Sequence, residues 1–119
     1  MEQLAQFESL KEEANTLFRN QDYIKAYDLY TKALTLTNKE EQLAVIYCNR
    51  SNANIKLNKF DEAQNDIDKA LHYRPTWGKA IYRKGLILSY LKEYDQSLFY
   101  LAQAEAHSSG IEKETLLVR

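Results

Sequence analysis

Tyr23, Ala26, Tyr30 and Ala33 recur as Phe60, Ala63, Ile67 and Ala70, and again as Tyr94, Ser97, Leu101 and Ala104, at intervals of 37 and then 34 residues. Each copy follows a helix-period segment with a small residue at its middle, in turn Ala14, Ser51 and Gly85. Aromatic and alanine positions at i, i+3, i+7 and i+10, repeated at this period, mark a helix pair that buries itself only by stacking on its neighbours. The chain therefore reads as an array, and an array offers a groove along its length for function.

Apolar spacing of three and four predicts helices over 3–19, 23–37, 41–57, 60–73, 76–91 and 94–107. The breaks fall at Asn20-Gln21-Asp22, at the polar stretch Thr37 to Glu41, at Arg74-Pro75 and at Ser108-Ser109-Gly110. Proline removes a backbone donor and biases its predecessor away from helix. The three extra residues of the first interval fall in the loop before residue 41, where insertion is cheap. Small residues on facing helices, Ala14 with Ala26, Ser51 with Ala63 and Gly85 with Ser97, predict close axis approach. Tyr30, Ile67 and Leu101 are expected to fill the gap toward the neighbouring pair, each contributing about 1.5–3 kcal/mol when fully buried. The nine tyrosines are accordingly expected to serve mostly as packing.

With 119 residues, three helix pairs use nearly the whole chain and leave no room for a second domain. Three glycines and one proline favour helix over a strand-and-turn architecture. The formal net charge of −1 gives no general attraction to nucleic acid or membrane, so electrostatic recognition requires local clustering. A single cysteine, Cys48, excludes an intrachain disulfide and a cysteine-based metal cage and points to a cytosolic or nuclear setting. No run approaches the length of a membrane span, and Met1 to Asn15 lacks the apolar stretch of a signal peptide. Ile111 to Arg119 reads as the opening turns of a further helix, which suggests a domain excised from something larger.

Leu10, Ala14, Leu17, Ala26, Tyr30 and Ala33, their later equivalents, and Pro75 closing the second unit resemble the tetratricopeptide repeat over about residues 4–107. Departures are Asn54 and Leu88 where that family often has tyrosine, Glu13 and Lys84 where it often has leucine, and Asn38 where a closing proline is common. The resemblance implies an all-α fold, a right-handed superhelical array of three antiparallel helix pairs. Its repeats would run approximately 4–38, 41–75 and 76–109, with 110–119 the start of a capping helix, all in one domain over 1–119.

In such an array the first helix of each pair lines the concave face. The inward positions here are Glu8, Lys11, Asn15, Phe18 and Arg19, then Val45, Cys48, Asn49, Asn52, Ile55 and Lys56, then Lys79, Tyr82, Arg83, Leu86 and Ser89. Five cations (Lys11, Arg19, Lys56, Lys79, Arg83) against one anion (Glu8) give that groove a net charge of +4. Lys11 with Asn15, and Lys79 with Arg83, each stand four apart on one helix, and Asn49 projects from the helix between. Lysine supplies a compact charge, arginine a planar fork and asparagine neutral donors, which together suit a pair of carboxylates.

The pattern Lys11-x-x-x-Asn15, Asn49 and Lys79-x-x-x-Arg83 resembles the dicarboxylate clamp of co-chaperone tetratricopeptide domains, and all five positions match. The resemblance implies binding of the Glu-Glu-Val-Asp tail of cytosolic seventy- and ninety-kilodalton heat-shock chaperones. Phe18, Arg19, Asn52, Ile55, Lys56, Leu86, Ser89 and Tyr90 would flank the clamp and receive upstream side chains. Chance agreement at five preselected positions is on the order of one in a million at ordinary residue frequencies. A groove for another acidic segment stays open, as does RNA, although few concave aromatics and a pI near 6.1 argue against nucleic acid. A scaffold that joins partners through its convex face is a third reading.

No catalytic motif accompanies the groove. His72 and His107 lack spaced ligand partners, so no metal or other cofactor is expected. Cys48 reads as a buried or groove-lining thiol with nothing nearby to activate it. Glu12-Glu13 and Glu40-Glu41 read as solvated helix ends. The sequence therefore predicts a cytoplasmic, non-enzymatic interaction module, with the nucleus as a second setting.

Overall fold

A computed structural model describes residues 2–107, and six helices account for nearly all of them. They are α1 (Glu2–Arg19), α2 (Tyr23–Leu34), α3 (Glu40–Lys56), α4 (Phe60–Tyr73), α5 (Gly78–Tyr90) and α6 (Tyr94–Ala106). Successive helices pack as pairs, α1 on α2, α3 on α4 and α5 on α6, and the pairs stack through α2 on α3 and α4 on α5. Among the described residues the fold is all-α, with no strand, and no helix is long and apolar enough to cross a membrane. The predicted break at Ser108-Ser109-Gly110 and the predicted cap over 110–119 lie outside the described residues.

Alanine and its small substitutes make the pairing possible. Ala14, Ala26, Ala63 and Ser51 are buried, and Ser51 Oγ donates to the carbonyl of Ala63 at 2.8 Å. In the third pair the hydroxyl has changed sides, and Ser97 Oγ donates to the carbonyl of Gly85 at 2.8 Å. A Cβ at Gly85 would stand 2.7 Å from Leu101 Cδ2, so glycine is what lets α6 lie this close. Leu101 is half-buried against its own pair, whereas the sequence assigned it to the gap toward a neighbour. Ile67 meets that expectation as a fully buried member of the central core, together with Cys48, Ala70, Ala80 and Ile87.

The turn inside every pair has the same form. Gln21, Asn58 and Lys92 take positive φ values of 67°, 61° and 64°. The next amide in each case, of Asp22, Lys59 and Glu93, donates back to the carbonyls of Leu17, Asn54 and Leu88 at 2.8, 2.8 and 2.9 Å. This is the Schellman closure, which satisfies carbonyls left without partners at a helix end and places one residue in the left-handed region. Glycine is the usual occupant, and none of the three positions carries it. These turns set the antiparallel return that brings α1, α3 and α5 to one side.

Two helix boundaries shift by two residues or more, and one acidic pair lies elsewhere than expected. The second helix ends at Leu34 rather than residue 37, because the backbone tightens to i→i+3 bonds at Thr35 and Leu36. The fifth begins at Gly78 rather than 76, after the Pro75 turn, and Glu12-Glu13 lie inside α1 rather than at its end. Only Tyr30 of the tyrosines is fully buried; Tyr82, Tyr90 and Tyr94 are exposed and the rest half-buried, so most of them pack at the surface of the core.

A buried polar cluster occupies the middle pair. Arg50 on α3 donates through Nε and Nη2 to the two carboxylate oxygens of Asp66 on α4 at 2.9 and 2.7 Å. Its remaining amino group donates to Thr31 Oγ1 at 3.1 Å, and Asn54 Nδ2 adds a bond to Asp66 at 3.1 Å. The rings of Tyr27 and Tyr47 stand 5.2 and 5.6 Å from the guanidinium carbon. The residue that departed from the family's tyrosine, Asn54, thus helps hold a buried carboxylate.

Candidate functional site

The first contact between the selected residues is an amide pair. Asn49 Nδ2 on α3 donates to Asn15 Oδ1 on α1 at 3.4 Å, across the first pair boundary. The same oxygen accepts a hydrogen bond from the Tyr30 hydroxyl on α2. Both asparagines form part of the wall of a cavity of about 380 Å³, together with Phe18, Arg19, Tyr30, Val45, Asn52, Trp77 and Lys79. Donors from α1, α3 and α5 therefore border one space, with cationic groups from Arg19 and Lys79.

Lys11 and Arg83 are not among the residues that border it, nor are Ile55, Lys56, Leu86, Ser89 and Tyr90. Lys11 is half-buried and paired with Glu8 at 3.1 Å, so the groove's single anion is held by one of its cations. Arg83 is half-buried, and its Nε is shielded from solvent without a hydrogen-bond partner among the described residues. Ile55 packs onto the central core, and Tyr90 stacks on Phe60 with ring centroids 4.8 Å apart. Two further cavities, of about 350 and 480 Å³, meet at Thr35 and Leu36 and contain none of the selected residues.

Charges on α5 lie within electrostatic range of Cys48 on α3. Burial pushes the Cys48 thiol up, while the charges of Arg83, Lys79 and Arg74 pull the other way. Cys48 is fully buried, so it supports the groove from beneath and does not line it. The Tyr30 phenol is pushed up to about 12 by burial, with Arg19 opposing and Glu12 reinforcing the rise. At neutral pH it is a protonated donor.

Tyr30 and Trp77 also border the cavity, although neither is among the residues that sequence reasoning selects. Tyr30 has the register of a core residue, and its hydroxyl meets Asn15 only because α1 and α2 are closely apposed. Trp77 immediately precedes α5, with Lys79 Nζ 6.0 Å and Arg74 Cζ 4.2 Å from its ring. Its signal was simple adjacency to Lys79.

Set beside known proteins, residues 44–76 and 78–105 match the family model described as Tetratricopeptide repeat. The chain belongs to the tetratricopeptide repeat family. Its fold is that of a tetratricopeptide protein-interaction module, of the kind found in co-chaperones. Human sperm-associated antigen 1 is 39% identical over 95 residues, which is 80% of this chain and 10% of that protein. The myosin chaperone UNC-45 of C. elegans, solved in complex with an Hsp90 peptide, superposes with a TM-score of 0.79 at 36% identity, over 86% of this chain and 12% of that one. The TPR2B domain of yeast Sti1, solved in a complex with Hsp70, gives a TM-score of 0.81 at 28% identity, over 94% of this chain and 93% of that one. This tetratricopeptide chain spans between 10% and 18% of the length of the first curated relatives it matches.

Proposed function

We propose that this module binds the acidic C-terminal tail, ending Glu-Glu-Val-Asp, of cytosolic seventy- and ninety-kilodalton heat-shock chaperones, as a co-chaperone or adaptor. Lys11, Asn15, Asn49, Lys79 and Arg83 would take the side-chain and terminal carboxylates of the last aspartate. The observation that carries the reading is the single cavity bordered by Asn15, Asn49 and Lys79, amide and ammonium donors from three successive first helices. Amides orient a carboxylate without adding repulsion between cations, and helices hold the donors in place before the ligand arrives, which limits the ordering loss on binding. The Hsp90 peptide on UNC-45 and the Hsp70 complex of Sti1 support the choice of ligand. A cytoplasmic location follows from that partner. Residues 1–119 would act as one domain of three repeats, with 110–119 opening a covering helix.

The test is a calorimetric titration with an acidic peptide bearing a free C-terminus, its amidated twin and an RNA oligonucleotide. The free acid is expected to bind with Kd on the order of 1–100 μM, more weakly as salt rises. Replacing Lys79 or Arg83 with alanine is expected to weaken binding by about 2–3 kcal/mol while helicity stays constant. Equal binding of the two peptides removes the clamp, and preference for the oligonucleotide moves the groove to the nucleic-acid reading.

A further inference from the structure

We propose that the Tyr30 hydroxyl is a positioning group for recognition: by donating to Asn15 Oδ1 it fixes the Asn15 amide with its NH2 turned into the cavity. The inference rests on the carboxylate-binding reading above. An amide oxygen has two lone pairs. Here one receives the Tyr30 hydroxyl and the other Asn49 Nδ2 at 3.4 Å, so Asn15 has only donors left to offer. A flipped amide would set Asn15 Nδ2 against Asn49 Nδ2, donor against donor, and turn its oxygen toward any bound carboxylate.

The tyrosine ring alone does not explain the residue. Its counterparts in the second and third pairs are Ile67 and Leu101, so an aliphatic side chain serves the packing there. Asn52, the counterpart of Asn15 one repeat later, is matched with Ile67 and has no such hydroxyl. Tyr30 is 2% exposed and belongs to the first core cluster, yet it also borders the cavity. A buried ring with its oxygen at the site wall is well placed to transmit the rigidity of the core to a binding donor.

Tyr30→Phe tests this, with helicity and melting temperature followed in parallel. Affinity for the free-acid peptide is expected to fall about 3- to 10-fold, the range for loss of one orienting hydrogen bond, while affinity for the amidated twin stays unchanged. In an Asn15→Ala background the same substitution is expected to change nothing further. A loss of equal size in that background overturns the proposal, since Tyr30 would then act other than through Asn15. Without any peptide, nuclear relaxation of the Asn15 side-chain amide is expected to show a lower order parameter in Tyr30→Phe than in wild type. An unchanged order parameter also overturns it. Asn15→Asp keeps the acceptor for Tyr30 but removes the NH2, and is expected to abolish free-acid binding; wild-type affinity in that variant would show that the NH2 is not a ligand donor. Failure of the wild type to distinguish the two peptides sinks the carboxylate reading instead, and leaves the positioning claim to the amide relaxation.

Discussion

Arg50 and Lys84 hold the same place in the second and third repeats, 34 residues apart, and use their charge in opposite directions. Arg50 turns inward to Asp66 on the second helix of its own pair, and reaches Thr31 of the preceding pair only with its spare amino group. Lys84 turns back to Asp68 of the preceding pair at 2.8 Å, and within its own pair it meets Tyr100, whose ring centroid lies 4.6 Å from Nζ. Tyr100 is the counterpart of Asp66, and Asp68 the counterpart of Thr31. The acid has thus moved from inside the pair to across the boundary. One repeat position can either lock its own hairpin or fasten two hairpins together, and the location of the carboxylate decides which.

The two arrangements differ in burial, and that sets the sizes of the expected effects. Side chains of Arg50 and Asp66 are 14% and 4% exposed, whereas Asp68 is 46% exposed. Asp66→Asn is the severest test, because it leaves a guanidinium buried without its counter-charge; denaturant unfolding is expected to show a loss of about 3–5 kcal/mol. Exchanging Arg50, Asn54 and Asp66 together for apolar residues of similar volume should recover most of that loss. A wild-type midpoint for Asp66→Asn would erase the distinction between the repeats.

The small-residue contact gives the next effect. Gly85→Ala forces Leu101 aside and is expected to destabilise by about 1–3 kcal/mol, while Ser51→Ala, which removes one hydrogen bond at the same place in repeat two, is expected to lose about 1 kcal/mol. Thermal melts of the two variants would rank them, and a harmless Gly85→Ala would mean that α6 has room to retreat. Smallest is Asp68→Asn, expected to lose about 0–1 kcal/mol and less still at high salt. Burial of the Lys84 amine disfavours its charge, but the hydrogen bond and charge of Asp68, with help from Tyr100, hold it above the usual ammonium range. A raised folded-state value means that the stabilisation is complete below the ordinary lysine range and is lost as pH climbs through the raised one. An alkaline denaturation series on wild type and Asp68→Asn should therefore converge at high pH.

The fold was legible because repetition amplifies weak signals: an alanine at position 26 means little until positions 63 and 97 carry alanine and serine in the same register. Helix register together with the resemblance to the clamp picks out five residues, of which Lys79 and the two amides border one cavity and Lys11 and Arg83 do not. The sequence was silent where the partners are unrelated in register. Arg50 meets Asp66 16 residues on, and Tyr30 meets Asn15 15 residues back, separations that match no helical spacing and carry no motif. The turn at Asn20-Gln21-Asp22 is legible in the sequence, but the left-handed residues of the three turns are not, because Gln21, Asn58 and Lys92 lack the glycine that usually announces such a position.

The burial of Cys48 has a practical consequence. Its thiol sits at the centre of the array, sealed between helices of two different pairs, and it is the only sulfhydryl in the chain. A thiol-reactive dye can reach it only when the stacked hairpins separate. The labelling rate of the unaltered protein is thus an intrinsic clock for breathing of the solenoid, and its slowing by an added peptide would time how long a ligand keeps the hairpins together.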